Sequence, residues 1–122
     1  MPKRDNSEYK ITDPADMIVD KEPPIEKHPG EFIRDVILPE YGLNVAKTAR
    51  LLGIDRAGLH GVLTGRYAVS RELAYKFGAL LRDDLADFLI AYQHAYDLFQ
   101  EQDLRESFKD KIERLAAPEG PS

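Results

Sequence analysis

The chain is expected to fold as an all-α domain, on three observations. Residues 45–64 place small and apolar residues at the offsets of a helix-turn-helix, the flanking stretches repeat apolar residues every three or four positions, and no stretch alternates with period two. Within the motif, Ala49 is the small residue that lets two helices cross closely. Gly53, four positions on, permits the left-handed backbone that ends the first of them. Ile54 and Leu59 fill the angle between the helices, while Val62 and Leu63 face back to the core. A motif whose second helix enters a DNA major groove needs these residues together. An ordinary helical hairpin is the simpler alternative.

Five helices are expected in order. The first runs from about Pro29, suited to a first helical turn, to Leu38; Phe32, Ile33, Val36 and Ile37 form its inward face, and Pro39 is expected to stop it. Asn44 caps the second helix, Asp55 the third and Ser70 the fourth, each offering an acceptor to free N–H groups. Leu73, Ala74, Phe77, Leu80 and Leu81 give the fourth helix its apolar side. The fifth begins near Asp83 or Asp84 and carries Phe88, Leu89, Tyr92, Tyr96 and Phe99.

At 122 residues and 13.8 kDa there is room for one domain with short appendages. The expected division is a polar N-terminal extension over 1–27, the helix-turn-helix domain over 28–100, and a C-terminal amphipathic helix and tail over 101–122. Zero cysteines exclude disulfides, thiolate metal sites and a cysteine nucleophile. No apolar run approaches the roughly 20 residues of a membrane span, and the start lacks the apolar stretch of a secretory signal. The protein is therefore expected in the cytoplasm. The net charge is −5, but residues 43–81 hold six basic and two acidic side chains, whereas residues 82–122 hold five and ten. A basic middle can meet phosphate despite acidic ends, because screening limits repulsion to about 8–10 Å.

Four short stretches add a resemblance: His28-Pro29-Gly30-Glu31, Tyr41-Gly42-Leu43, Thr64-Gly65-Arg66 and Ala95-Tyr96-Asp97-Leu98. In that order and spacing the chain resembles an antitoxin of the HigA type, within the XRE-like family of helix-turn-helix regulators, from about His28 to Phe99. The resemblance implies a five-helix, lambda-repressor-like domain that represses its own operon and binds a small toxin, typically an mRNA-cleaving ribonuclease. No enzyme activity and no cofactor are expected.

Helix 3 is where sequence would be read. Family members often carry serine or threonine along this face and an arginine in the second turn; here the residues are Arg56, Ala57, Gly58, His60 and Gly61, with Thr64 near the end. Each glycine costs about 1 kcal/mol relative to alanine inside a helix. They serve close backbone approach to DNA or reflect relaxed specificity. Arg56 has guanine or phosphate open to it, and His60 either donates to a base or lies on the surface. Lys47, Thr48, Arg50, Arg66, Tyr67 and Arg71 form the expected phosphate-binding rim, drawn from helix 2, the loop after helix 3 and the start of helix 4.

Double-stranded operator DNA is thus one expected partner, with a homodimer reading a palindromic site through contacts such as Tyr92, Tyr96 and Phe99. A small basic toxin is the other. Its expected anchors are Met17, Ile18 and Val19, or the stripe through Leu104, Phe108, Ile112 and Leu115; that stripe also has the option of folding back on helix 1. The alternatives are a stand-alone XRE-type regulator, or an interaction module whose degenerate motif has little DNA affinity. Catalysis finds little support: His28, His60 and His94 lie 32 and 34 residues apart, not at paired helical spacing for zinc.

Overall fold

Residues 22–118 are described in the structure, a computed structural model, and among them there are helices and no strand. The Met17-Ile18-Val19 triplet lies outside the described residues. The first helical rod, α1, joins three segments: Pro29–Phe32, a wider π-helical turn Ile33–Ile37, and Leu38–Glu40. It is followed by α2 (Val45–Leu52), α3 (Arg56–Leu63), α4 (Arg71–Leu80), α5 (Asp83–Gln100) and α6 (Gln102–Lys111).

Pro39 does not stop the first helix. Leu38 donates its N–H to the Ile33 carbonyl, one residue further back than in an α-helix. That wider turn relieves the clash a proline ring makes with the carbonyl four positions earlier. The rod ends at Tyr41 instead (φ −95°, ψ 6°). The three expected caps are made: Asn44 Oδ1 accepts from Lys47 N–H at 2.8 Å, Asp55 Oδ2 from Gly58 N–H at 2.8 Å, and Ser70 Oγ from Leu73 N–H at 3.0 Å. Gly53 adopts φ 69°, ψ 36°, and Ile54 N–H returns to the Ala49 carbonyl at 3.0 Å, closing α2 and turning the chain into α3.

α5 is the spine. It packs most extensively on α4 and also against α1. Ile33, Ile37, Leu59, Leu63, Phe77, Leu85, Leu89 and Tyr92 are fully enclosed between the helices. Phe32, Phe88 and Tyr92 meet pairwise at centroid distances of 5.6–5.9 Å, mostly edge to face. Tyr92 was expected at a dimer surface, and the structure corrects this: its ring has no exposure, and its hydroxyl donates to the Lys27 carbonyl at 2.6 Å, with that of Pro24 at 3.0 Å. The chain from Pro24 to Lys27 lies over that end of the side chain. Burial pushes the ionisation of the phenol up, so it stays a donor.

The C-terminal helix is shorter than the apolar spacing implied. Glu101 separates it from α5, and Ile112 is already extended (φ −113°, ψ 128°), leaving Leu115 beyond the helix. None of its residues is buried, so it does not fold back into the core.

His28 caps α1 through its ring: Nδ1 accepts from Gly30 N–H at 2.8 Å, and Tyr96 lies edge-on at 5.2 Å. Burial holds its pKa below the ordinary 6.5, with Glu31 and Asp97 only partly opposing. The unfolded chain therefore takes up the proton first. Stability is full above about pH 6.5, falls as pH drops below that value, and levels off below the folded pKa. In urea titrations, His28→Asn, which keeps a capping acceptor, is expected to lose less stability than wild type between pH 7.5 and 5. Equal slopes would exclude this role for His28.

Candidate nucleic-acid interface

α3 is amphipathic in a way that fixes which side chains it offers. Leu59, Val62 and Leu63 are buried, so Arg56, Ala57, Gly58 and His60 stand on the outer face, all exposed. Arg56 occupies the first helical position, next to the Asp55 cap. Thr64, at the other end, is half-buried; its hydroxyl donates to the His60 carbonyl at 2.9 Å, leaving only the oxygen lone pairs free.

The rim residues come from the elements either side of α3, as expected: Lys47 and Arg50 from α2, Arg66 and Tyr67 from the following loop, and Arg71 from the start of α4, every one exposed. Thr48 is the exception and is removed from the set. It has no exposure, and its hydroxyl donates to the Asn44 carbonyl at 2.6 Å. Four residues before Leu52, it lies on the inward side of α2.

Charge pairing marks out this face. Lys27 and Arg34 both pair with Asp35, whose carboxyl is held well below the usual range first by Arg34 and then by Lys27. Lys76 pairs with Glu72, and Arg82 with Asp84. Among the described residues from Lys27 to Arg82, the basic side chains in no salt bridge are Lys47, Arg50, Arg56, Arg66 and Arg71. These uncancelled cations, on α2, α3, the loop after it and the start of α4, give this part of a chain with a negative total a locally positive charge.

The two glycines of α3 differ in kind. A Cβ at Gly58 would meet nothing nearer than Asp55 Oδ2 at 3.6 Å. At Gly61 it would lie 2.3 Å from the Tyr67 ring, which is laid against the helix there. Gly61 is buried; the close approach it permits is to Tyr67, not to a ligand. Gln93 escaped attention in the sequence. Buried on α5, it accepts from Val69 N–H at 2.8 Å and donates to Asp97 at 2.8 Å, tying the loop after α3 to the spine. A glutamine amid aromatic spacing carries no signal of such a long-range bond.

Among the described residues, no group of three His, Asp or Glu side chains is placed to hold a metal, and no helix is long and apolar enough to cross a membrane.

No family model matches the chain. Virulence-associated protein A' of Dichelobacter nodosus is 32% identical over 98 residues, 80% of this chain and 79% of that protein. Virulence-associated protein A of the same organism is 32% identical over 78 residues, 64% of this chain and 74% of that protein. Among solved structures, antitoxin GraA superposes with a TM-score of 0.65 at 30% identity, over 78% of this chain and 99% of that one. PA4674 of Pseudomonas aeruginosa, crystallised with its 18-bp operator DNA, gives 0.64 at 27% identity, over 75% and 96%.

Because Gly58 has open space, Gly58→Ala is expected to stabilise the protein by about 1 kcal/mol through helix propensity alone, read as a raised urea midpoint. A lowered midpoint would show that this position is closed to a side chain.

Proposed function

Because the chain belongs to the XRE-like helix-turn-helix family of HigA-type antitoxins, we propose that it binds the operator of its own operon as a dimer in the cytoplasm and neutralises a small basic ribonuclease toxin. The observation that carries the DNA half is the set of five unpaired cations around α3. With α3 in the major groove, Lys47, Arg50, Arg66 and Arg71 grip phosphates on either side and orient the helix. Arg56, at its first turn, reads guanine through O6 and N7, with Ala57 and His60 beside it. PA4674 with its operator is the structural precedent.

A single helix-turn-helix covers few base pairs, so useful specificity requires two copies. Phe99 at the end of α5 is 40% exposed and Leu98 beside it 45%, which supports a dimer contact at that end; Tyr96 is half-buried and offers less surface. For the toxin, α6 offers Leu104 and Phe108, 55% and 49% exposed, on a helix none of whose residues is buried. Asp83, Asp87, Asp97, Glu101 and Asp103 stand exposed along α5 and α6 and steer a basic partner towards this end. The competing reading, a protein-interaction module, drew support from two glycines in α3. One of those is accounted for by Tyr67.

Gel shifts on the DNA upstream of its gene, with sedimentation, test the DNA half. Arg56→Ala is expected to relax preference at one base pair at a cost of about 1–3 kcal/mol. Lys47→Ala or Arg50→Ala should weaken all sequences alike and lower the salt slope by about one. A monomer that ignores this DNA at low salt would overturn the proposal.

The toxin half is tested by co-purification with the product of the neighbouring gene. Removing residues 102–122 should leave the thermal transition nearly unchanged, because no residue of α6 is buried, and abolish neutralisation. Normal neutralisation by the truncated protein would place the toxin site elsewhere.

A further inference from the structure

Tyr67 is a large aromatic side chain that the fold keeps out of its core. It remains 54% exposed, yet its position is closely defined. One edge of the ring rests on α3 at Gly61, where a Cβ would stand 2.3 and 2.4 Å from Tyr67 Cε2 and Cδ2. The Gly61 carbonyl accepts from Arg66 N–H at 2.8 Å and Tyr67 N–H at 3.2 Å, and the Thr64 hydroxyl lies 3.3 Å from it. The chain thus folds back onto the last turn of α3 around a single peptide oxygen. Two residues further on, Val69 N–H is held by Gln93 on α5, so the segment is pinned at both ends. The ring also carries the Arg66 guanidinium, itself exposed, 5.7 Å from its centroid.

We infer that Tyr67, seated on Gly61, and Arg66, stacked on Tyr67, form a preset clamp for one phosphodiester strand beside the C-terminal end of α3, with Gly61 as its positioning residue. The inference rests on the operator-binding reading and deepens it. A phenolic hydroxyl and a guanidinium are both phosphate donors, and the guanidinium binds in bidentate fashion. Lying at the far end of α3 from Arg56, they hold the backbone and not base edges. Because the ring and loop are already ordered, less side-chain freedom is lost on binding than by a free arginine and tyrosine. The arrangement also explains why a helix meant for the groove tolerates a glycine in its second turn: a larger residue there would lift the ring and move Arg66 with it.

A double-mutant cycle tests this in the full-length protein, using Gly61→Ala, Tyr67→Ala and the pair. DNA affinity is measured against salt on the upstream duplex and on an unrelated one, and stability by urea unfolding. Gly61→Ala is expected to weaken both duplexes by a similar factor, about ten-fold at low salt, with a shallower salt slope. Tyr67→Ala should do the same, and the pair should lose little more than either alone. Stability should reverse in sign: alanine at 61 destabilises beside Tyr67 and stabilises once Tyr67 is alanine, because helix propensity is then unopposed. If Gly61→Ala does not fold, Tyr67→Ala and the pair carry the DNA comparison. A folded Gly61→Ala with wild-type affinity, or the same stability change in both backgrounds, would overturn the clamp. Wild-type protein that binds neither duplex would instead overturn the operator reading, while the stability cycle still decides whether the ring is seated on Gly61.

Discussion

Everything the interface does depends on how closely α1 is seated on the end of α3. A Cβ at Gly30 would lie 1.8 Å from the Val62 carbonyl oxygen, so the first turn of α1 touches the backbone of the last turn of α3. The positive end of one helix meets the negative end of the other. Arg34 adds a long contact of 3.4 Å to the Leu63 carbonyl. Leu59 and Leu63 then have no route to solvent, and with the inward face of α3 fixed, the direction of its outward face follows. Upstream, the same end of α1 is held by the His28 ring and by the Tyr92 hydroxyl under the Pro24–Lys27 turn. The presentation of Arg56 and His60 therefore rests on buried side chains such as His28 and Tyr92.

The electrostatic design follows a division of labour. Off the α3 face, the cations from Lys27 to Arg82 are matched with carboxylates; on it, they are left open. Exposed pairs contribute little to stability, so what the pairing achieves is to localise the positive field. The acidic surplus lies in residues 82–122, most of it on α5 and α6, so fields of opposite sign occupy different parts of one small molecule.

Local signals were legible residue by residue. Asn44, Asp55 and Ser70 cap as their chemistry requires, and Gly53 turns the chain with a positive φ, because each of these acts within three or four residues of itself. The exposure of Lys47, Arg50 and Arg71 was legible for the same reason, since charged residues on known helices land where the helical period puts them. Thr48, Tyr92 and Gly61 were misjudged. Thr48 was grouped with its charged neighbours, although one step around the helix turned it inwards. Tyr92 found hydroxyl partners more than sixty positions away in sequence, and Gly61 acquired its purpose from a ring laid against it by a loop.

The sequence by itself determined the all-α class, the helix-turn-helix, its caps and the family, because periodicity, capping and turn chemistry are short-range and survive in a linear string. Only the tertiary structure decided that a π-turn ahead of Pro39 would carry the helix past it, that Tyr92 belongs to the core, that α6 stands clear of it, and that five cations on and around α3 form no salt bridge. Those outcomes depend on which distant groups the packing of α1, α3 and α5 brings together. Burial and pairing are properties of neighbours in space, and the spacing of residues along a chain does not contain them.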